Sequence, residues 1–191
     1  RAADPGSVAV ERLTLGIDVA PDRSTASVSL AGQRADGLWH VELDDTRAGT
    51  DWVGPWVAGR VARNKLHAVV VDELSGLVEK RHGRHYLAGT DVVVTLAASE
   101  GRDMAIACAR FYDAVVAGEL RHTDQPQVNV ALSQAGKRRL GAGWAWNRRA
   151  ATSDITPIIS ATLALWGAQL DIKQVKKPAR RAGTGKVVVL S

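Results

Sequence analysis

The chain has 191 residues, of which 46% are hydrophobic and 24% are charged. This composition is typical of a soluble globular domain and excludes a disordered or collagen-like chain. No apolar run approaches the roughly 18 to 20 residues that a membrane span needs, so we expect a cytoplasmic protein that does not contact a membrane. The single cysteine, Cys108, excludes an internal disulfide, and the spacing of Cys and His residues does not match a zinc site.

The net charge of +5 is concentrated near the C-terminus. Residues 171–191 hold six of the 25 basic residues and one of the 20 acidic residues, so the other 170 residues are electrically balanced. We therefore expect a linker or domain-boundary segment at 1–12, a folded domain at 13–170 and a basic tail at 171–191. Because the first residue is Arg and no periodic pattern begins before residue 13, we expect a fragment excised from a longer protein.

Three strands with short turns open the folded domain. Residues 13–19 alternate apolar with small or polar residues, which places Asp18 inside a strand. The runs 24–31 and 38–43 have the same character, and the three together predict an antiparallel meander.

A helix and a buried strand follow the meander. The spacing of apolar residues predicts a helix over 52–64, capped by Thr50 or Asp51. A short β-branched run over 68–71 ends at Asp72. Because a helix between two parallel strands forms a crossover, this order predicts a βαβ unit.

The second half of the chain is mainly helical. The pattern predicts a buried strand over 92–96, a helix over 100–116 and a short helix over 127–134. A basic, glycine-containing segment over 136–149 precedes a last helix that begins near Pro157, with apolar residues along one face.

Two aspartates occupy strand positions, although Asp is disfavoured in strands. Asp18 lies within the first strand and Asp72 ends the buried one. A buried carboxylate is costly unless it is hydrogen-bonded, paired or bound to a cation. A bound metal ion would compensate both buried carboxylates. An arginine paired with Asp18 would compensate that residue equally well, and Asp72 could instead cap the following turn.

A third aspartate, Asp154, lies just ahead of the last helix, where negative charge is favoured, and capping alone would explain it. Glu73 points away from Asp72 in an extended chain, so only one of them joins Asp18. Asp18, Asp72 and Asp154 together are the minimum set for two Mg²⁺ or Mn²⁺ ions, which clamp the attacking and leaving oxygens in phosphodiester hydrolysis.

The order of these features is that of ribonuclease H-like nucleases. More closely, residues 13–166 resemble the C-terminal nuclease domain of large terminase subunits from tailed phages, particularly those of actinobacterial hosts. Five stretches in this order carry the resemblance: Leu15–Ser24, Val69–Asp72, Ala109–Val115, Trp144–Arg149 and Ser153–Trp166.

The resemblance implies an α/β fold of the ribonuclease H-like type, in which a mixed sheet of an antiparallel meander plus parallel strands is flanked by helices. It implies a metal-dependent endodeoxyribonuclease that cuts concatemeric phage DNA during packaging, with Asp18, Asp72 and Asp154 as catalytic and metal-binding residues. The implied partners are double-stranded DNA, the terminase ATPase domain, the small terminase subunit and the portal, in the cytoplasm of an infected bacterial host.

Residues 183–186 resemble part of a phosphate-binding loop. Arg180 stands where the first glycine of that loop is required, and Val187 follows the lysine in place of Ser or Thr. We therefore expect no ATP hydrolysis by this chain.

Basic side chains cluster in two segments that we predict to contact DNA phosphates. In the segment over 136–149, Trp144 and Trp146 lie among the basic residues, which suggests a β-hairpin with phosphate contacts; the alternative is a solvated hairpin with both tryptophans in the core. The predicted DNA-binding residues are Lys137, Arg138, Arg139, Arg148, Arg149, Lys176, Lys177, Arg180 and Arg181.

Two other functions stay open on the sequence alone. One is another ribonuclease H-like nuclease, of the resolvase or integrase type. The other is a DNA-binding or motor-docking module without catalysis, in which the carboxylates are structural. A metal titration separates the nuclease from the module.

Overall fold

The computed structural model describes residues 2–97 and 101–171. The strands are β1 Glu11–Val19, β2 Thr25–Gln33, β3 Trp39–Ala48, β4 Ala68–Asp72, β5 Val78–Arg81, β6 Arg84–Leu87, β7 Thr95–Ala97, β8 Leu120–His122, β9 Gly136–Leu140 and β10 Gly143–Asn147. The helices are α1 Val53–Arg63, α2 Arg102–Val116, α3 Pro126–Gln134 and α4 Thr156–Gln169, with short 3-10 helices at Glu73–Ser75 and Arg148–Ala150.

A six-stranded mixed sheet forms the centre, in the order β7-β4-β1-β2-β3-β8. β1, β2 and β3 pair antiparallel, which confirms the predicted meander. β4 pairs parallel to β1 and β7 parallel to β4, so the crossover through α1 is also confirmed. β8 pairs parallel to the far edge strand β3.

Helices cover both faces of the sheet. Because side chains alternate along a strand, Leu15 and Ile17 of β1 point to one face, where they pack with Val53 and Val57 of α1. The opposite face is covered by α4, and α2 packs on α4 from outside. The side chain of Asp18 belongs to this second face.

The helix α4 lies unusually close to the sheet. A Cβ atom added to Gly16 of β1 would stand 2.1 Å from the carbonyl oxygen of Ser160, and one added to Gly167 would stand 2.4 Å from a methyl of Val70. Glycine at these two positions therefore allows the contact. α4 is buried from Thr156 to Ala168. Its burial extends beyond the apolar face that the sequence indicates, because α2, α3 and the sheet all contact it.

Three local features differ from the sequence-based expectations. Trp52 is the N-cap residue of α1 and makes no side-chain cap hydrogen bond, so capping by Thr50 or Asp51 is wrong. The strand expected over 92–96 is the shorter β7. The antiparallel hairpin formed by β5 and β6 was not anticipated from the sequence.

The segment predicted to be a linker contacts the sheet. Asp4 pairs with Arg34 at 2.8 Å, and the buried Ser7 hydroxyl lies 2.8 Å from Nδ1 of His40. Whether this segment joins a further domain stays a prediction, and the predicted tail beyond residue 171 lies outside the described residues. Within 2–97 and 101–171, no helix combines the length and the apolar character needed to cross a membrane.

Candidate acidic site

Asp18 is the most deeply buried of the three carboxylates predicted for the site. It lies next to the end of β1, on the face that carries Gly16 and meets α4. Its side chain has no solvent-exposed surface. A carboxylate in such a position needs a compensating cation or hydrogen bonds.

Asp72 lies beside Asp18 on the same face. β4 runs parallel to β1, and the last pair in their register is Ile17 with Val71. Asp18 and Asp72 are the next residues of the two strands. Oδ1 of Asp72 accepts a hydrogen bond from the backbone N–H of Leu74 at 2.9 Å and so caps the 3-10 helix Glu73–Ser75. Glu73 is exposed, so Asp72 is the acid that accompanies Asp18.

Asp154 is exposed and stands at the start of α4. Its two oxygens accept hydrogen bonds from the backbone N–H and the hydroxyl of Thr156, both at 2.9 Å. The Thr156 hydroxyl in turn lies 2.7 Å from Oγ of Ser27, which is the cross-strand partner of Asp18. This chain of hydroxyls ties the start of α4 to the strand beside Asp18.

The three carboxylates interact electrostatically. Burial raises the pKa of Asp18 from its ordinary value of 3.8 to about 6, against the lowering effect of Arg148. Repulsion from Asp72 and Asp154 raises the pKa of Asp18 further. Because this repulsion falls off with distance, Asp72 and Asp154 both lie within electrostatic range of Asp18.

Arg148 brings a positive charge into direct contact with Asp18. Its Nη2 donates to Oδ1 of Asp18 in an ion pair. Burial acts to lower the pKa of Arg148, but attraction by Asp18, Asp72 and Asp154 outweighs it and raises that pKa. One guanidinium therefore interacts with all three carboxylates.

The site fits a hard divalent cation in its donor chemistry but not in its present arrangement. Oδ2 of Asp18 is buried, and the described part of the chain offers it no hydrogen-bond partner. However, no three His, Cys, Asp or Glu side chains in that part stand close enough to hold a metal ion. The structural alternatives also occur: Asp18 pairs with an arginine, while Asp72 and Asp154 cap turns.

A cleft of about 680 Å³ opens beside the site. Asp72 lines it together with Arg23 and three basic residues of the predicted DNA-binding set, Arg138, Arg148 and Arg149. A cleft with one acid and several guanidinium groups suits a phosphate-rich ligand.

The predicted basic hairpin is confirmed as β9 and β10. Lys137 and Arg139 are exposed, and Nζ of Lys137 lies 3.6 Å from the ring centre of Tyr112 and 4.4 Å from that of Trp144. Trp146 is buried and donates to the hydroxyl of Thr162 at 2.9 Å. Only one of the two tryptophans is therefore in the core.

The structure brings Arg138, Arg148 and Arg149 to the cleft and leaves Lys137 and Arg139 on the outer hairpin. The remaining predicted DNA-binding residues lie outside the described residues: Lys176, Lys177, Arg180 and Arg181. DNA contact stays a prediction for the whole set.

Neither protein-family models nor curated protein sequences give a match to this chain. Among solved structures, the crystal structure of the HK97 bacteriophage large terminase is similar, with a TM-score of 0.64 and 15% sequence identity. The two share a fold. The likeness covers 84% of this chain and 40% of that one, so the chain spans less than half of that protein's length. The predicted fold class, a ribonuclease H-like mixed sheet flanked by helices, is confirmed.

On this fold, sequence reasoning missed the hydroxyl groups that position α4. Ser27 lies against Thr156, and Ser29 lies 2.7 Å from Ser160. The signal was present, because Ser27 and Ser29 alternate along one strand while Thr156 and Ser160 are four apart on a helix. It also missed Arg23, which donates to the Ser75 carbonyl at 2.7 Å beside the cleft.

Proposed function

We propose that this domain is a divalent-metal-dependent endonuclease that cuts concatemeric double-stranded DNA during phage DNA packaging. The observation that carries the proposal is the buried Asp18. One of its oxygens has no hydrogen-bond partner among the described residues, and two further carboxylates act on it. The fold shared with the HK97 bacteriophage large terminase supports the choice of DNA packaging.

Asp18, Asp72 and Asp154 are the residues that would hold Mg²⁺ or Mn²⁺. Two bound ions would supply an activated water for attack on phosphorus and neutralise charge on the leaving 3′-oxygen. Arg138 and Arg149, which line the cleft beside Asp72, would bind the DNA backbone and hold the scissile phosphate against the acids. The hydroxyl of Thr156 would keep Asp154 in place.

The proposed partners are double-stranded DNA, a terminase ATPase domain, a small terminase subunit and a portal, in the cytoplasm of an infected bacterial host. The hydrolase activity is assigned to this domain, and ATP-driven translocation to another domain or subunit.

The proposal is tested by nicking of supercoiled plasmid in Mn²⁺, in Mg²⁺ and in EDTA. We expect cleavage by the wild type in metal only, and a loss of at least about a hundredfold for Asp18→Asn, Asp72→Asn and Asp154→Asn. Glu73→Gln is the matched control for Asp72, because it removes an exposed carboxylate from the adjacent position and should leave cleavage unchanged.

A second candidate function is a DNA-binding or motor-docking module without catalysis. The ion pair of Asp18 with Arg148 favours it, because the buried charge is then already compensated without metal. If the wild type binds plasmid DNA but cuts it in neither metal, the module is the correct interpretation and the endonuclease is wrong.

A further inference from the structure

The guanidinium of Arg148 acts on all three carboxylates of the acidic site. The guanidinium of Arg148 contacts Oδ1 of Asp18 and is attracted by Asp72 and Asp154 as well. A divalent cation at this site would be attracted by the same three groups. Two cations that depend on the same oxygens compete, because each weakens the binding of the other.

Arg148 and the adjacent Arg149 differ in their surroundings, which favours different roles for the two side chains. Arg148 begins the 3-10 helix that follows β10, and its side chain is 26% exposed, whereas Arg149 is exposed. Trp146, two residues earlier, is fixed in the core by its hydrogen bond to Thr162. The end of the hairpin is thus anchored where Arg148 reaches Asp18. Both Arg148 and Arg149 line the cleft, but only Arg148 is paired with Asp18 among the described residues.

The contact between Arg148 and Asp18 involves only one of the two carboxylate oxygens. Nη2 bonds to Oδ1, and within residues 2–97 and 101–171 nothing bonds to Oδ2. An arginine that serves only to neutralise a buried carboxylate satisfies it best through two parallel hydrogen bonds. The single contact leaves the second oxygen for another ligand.

We propose that Arg148 is a built-in counter-cation of the acidic site, which takes the place of the divalent ion in the metal-free protein and is displaced when metal binds. This inference rests on the proposed function, because it assumes that the three acids hold metal. It makes Arg148 the residue that sets metal affinity. The DNA-contacting role predicted for Arg148 from the sequence would then begin only after its displacement.

The test is a calorimetric titration of Mn²⁺ into the full metal-free chain, with no DNA present. Arg148→Gln should bind Mn²⁺ at least about tenfold more tightly than the wild type, a factor that corresponds to roughly 1.4 kcal/mol. Arg148→Lys keeps the charge and should stay within about threefold of the wild type. Arg149→Gln removes the same charge one residue away, where no pairing with Asp18 occurs, and should change the affinity by no more than about twofold.

A melting experiment gives a second readout. Without metal, Arg148→Gln should melt below the wild type, because the buried Asp18 loses its counter-charge. Saturating Mn²⁺ should remove most of that difference. A variant that melts below the wild type by the same amount with and without Mn²⁺, or that fails to fold even in Mn²⁺, would show a purely structural arginine and overturn the inference.

The outcomes separate the inference from the proposed function. If Arg148→Gln binds Mn²⁺ no more tightly than the wild type while Asp18→Asn abolishes binding, the inference is wrong and the metal site stands. If neither the wild type nor Arg148→Gln binds Mn²⁺, or if Asp18→Asn binds it normally, the metal site itself is wrong and both ideas are overturned.

Discussion

Asp18→Asn is expected to make the metal-free protein more stable than the wild type at neutral pH, with the difference vanishing in acid. Burial raises the pKa of Asp18 from 3.8 to about 6 in the folded protein, despite the opposing effect of Arg148. The folded state therefore holds the proton more tightly than the unfolded chain does. Between pH 3.8 and pH 6, folding takes up protons, so the stability that the protonated Asp18 gives is lost as the pH rises.

The size of the effect follows from the shift of about two pH units. At about 1.36 kcal/mol per unit, ionisation of Asp18 lowers the free energy of unfolding of the wild type by about 3 kcal/mol between pH 4 and pH 8. Asparagine is uncharged throughout and escapes this loss. With the m-value that is usual for a small domain in urea, the urea midpoint of unfolding of Asp18→Asn should lie on the order of 1 M above that of the wild type.

Urea denaturation in EDTA, followed by tryptophan fluorescence at half-unit pH steps, measures both curves. Asp113→Asn is the matched control, because it removes an exposed carboxylate from α2. Curves for the wild type and Asp18→Asn that run parallel from pH 4 to pH 8 would refute the reasoning, since they would show that the carboxylate of Asp18 costs nothing to ionise in the fold.

Three further outcomes are expected. Gly16→Ala should lower the free energy of unfolding by about 3 kcal/mol or more, measured by urea denaturation, because its Cβ would meet the backbone of α4 at 2.1 Å; an unchanged midpoint would contradict the close packing. Thr156→Val should cost about 1 to 3 kcal/mol and slow plasmid nicking, because Asp154 loses a hydrogen bond, whereas normal nicking would show that Asp154 needs no such support. Removal of residues 172–191 takes away six basic side chains. If half of them contact phosphate, the slope of log DNA affinity against log salt, measured by fluorescence anisotropy, should flatten by roughly 2 to 3 units. An unchanged slope would leave the β9–β10 hairpin as the main DNA-binding surface.

The framework of the fold was accessible from the sequence because it depends on local periodicity. The alternation along β1 was enough to place Asp18 inside a strand, and the apolar run of β4 was enough to place Asp72 at the end of another. The meander followed from three short strands separated by turns. Such signals need only neighbouring residues, and the structure confirms them.

The features that the sequence did not disclose depend on contacts between distant segments. Arg148 and Arg149 are adjacent and chemically identical, and no local pattern says that the first bonds to Asp18, 130 residues away. The complete burial of α4 was missed for the same reason, since α2 and α3 cover the side that a two-layer arrangement would leave in water.

The central position of α4 has a consequence for biosynthesis. Asp18 and Asp72 precede Arg148, Asp154 and α4 in the chain and are therefore made before them. Pairings between such distant segments form slowly, because the chain must close a large loop before it gains their contacts. A nascent chain that has emerged only as far as β8 contains Asp18 and Asp72, but it lacks α4, which packs on β1 and β4, and it lacks the third acid. The acidic centre is therefore assembled only after the segment from Arg148 to the end of α4 has been made, and a nascent chain that stops before Arg148 cannot form it.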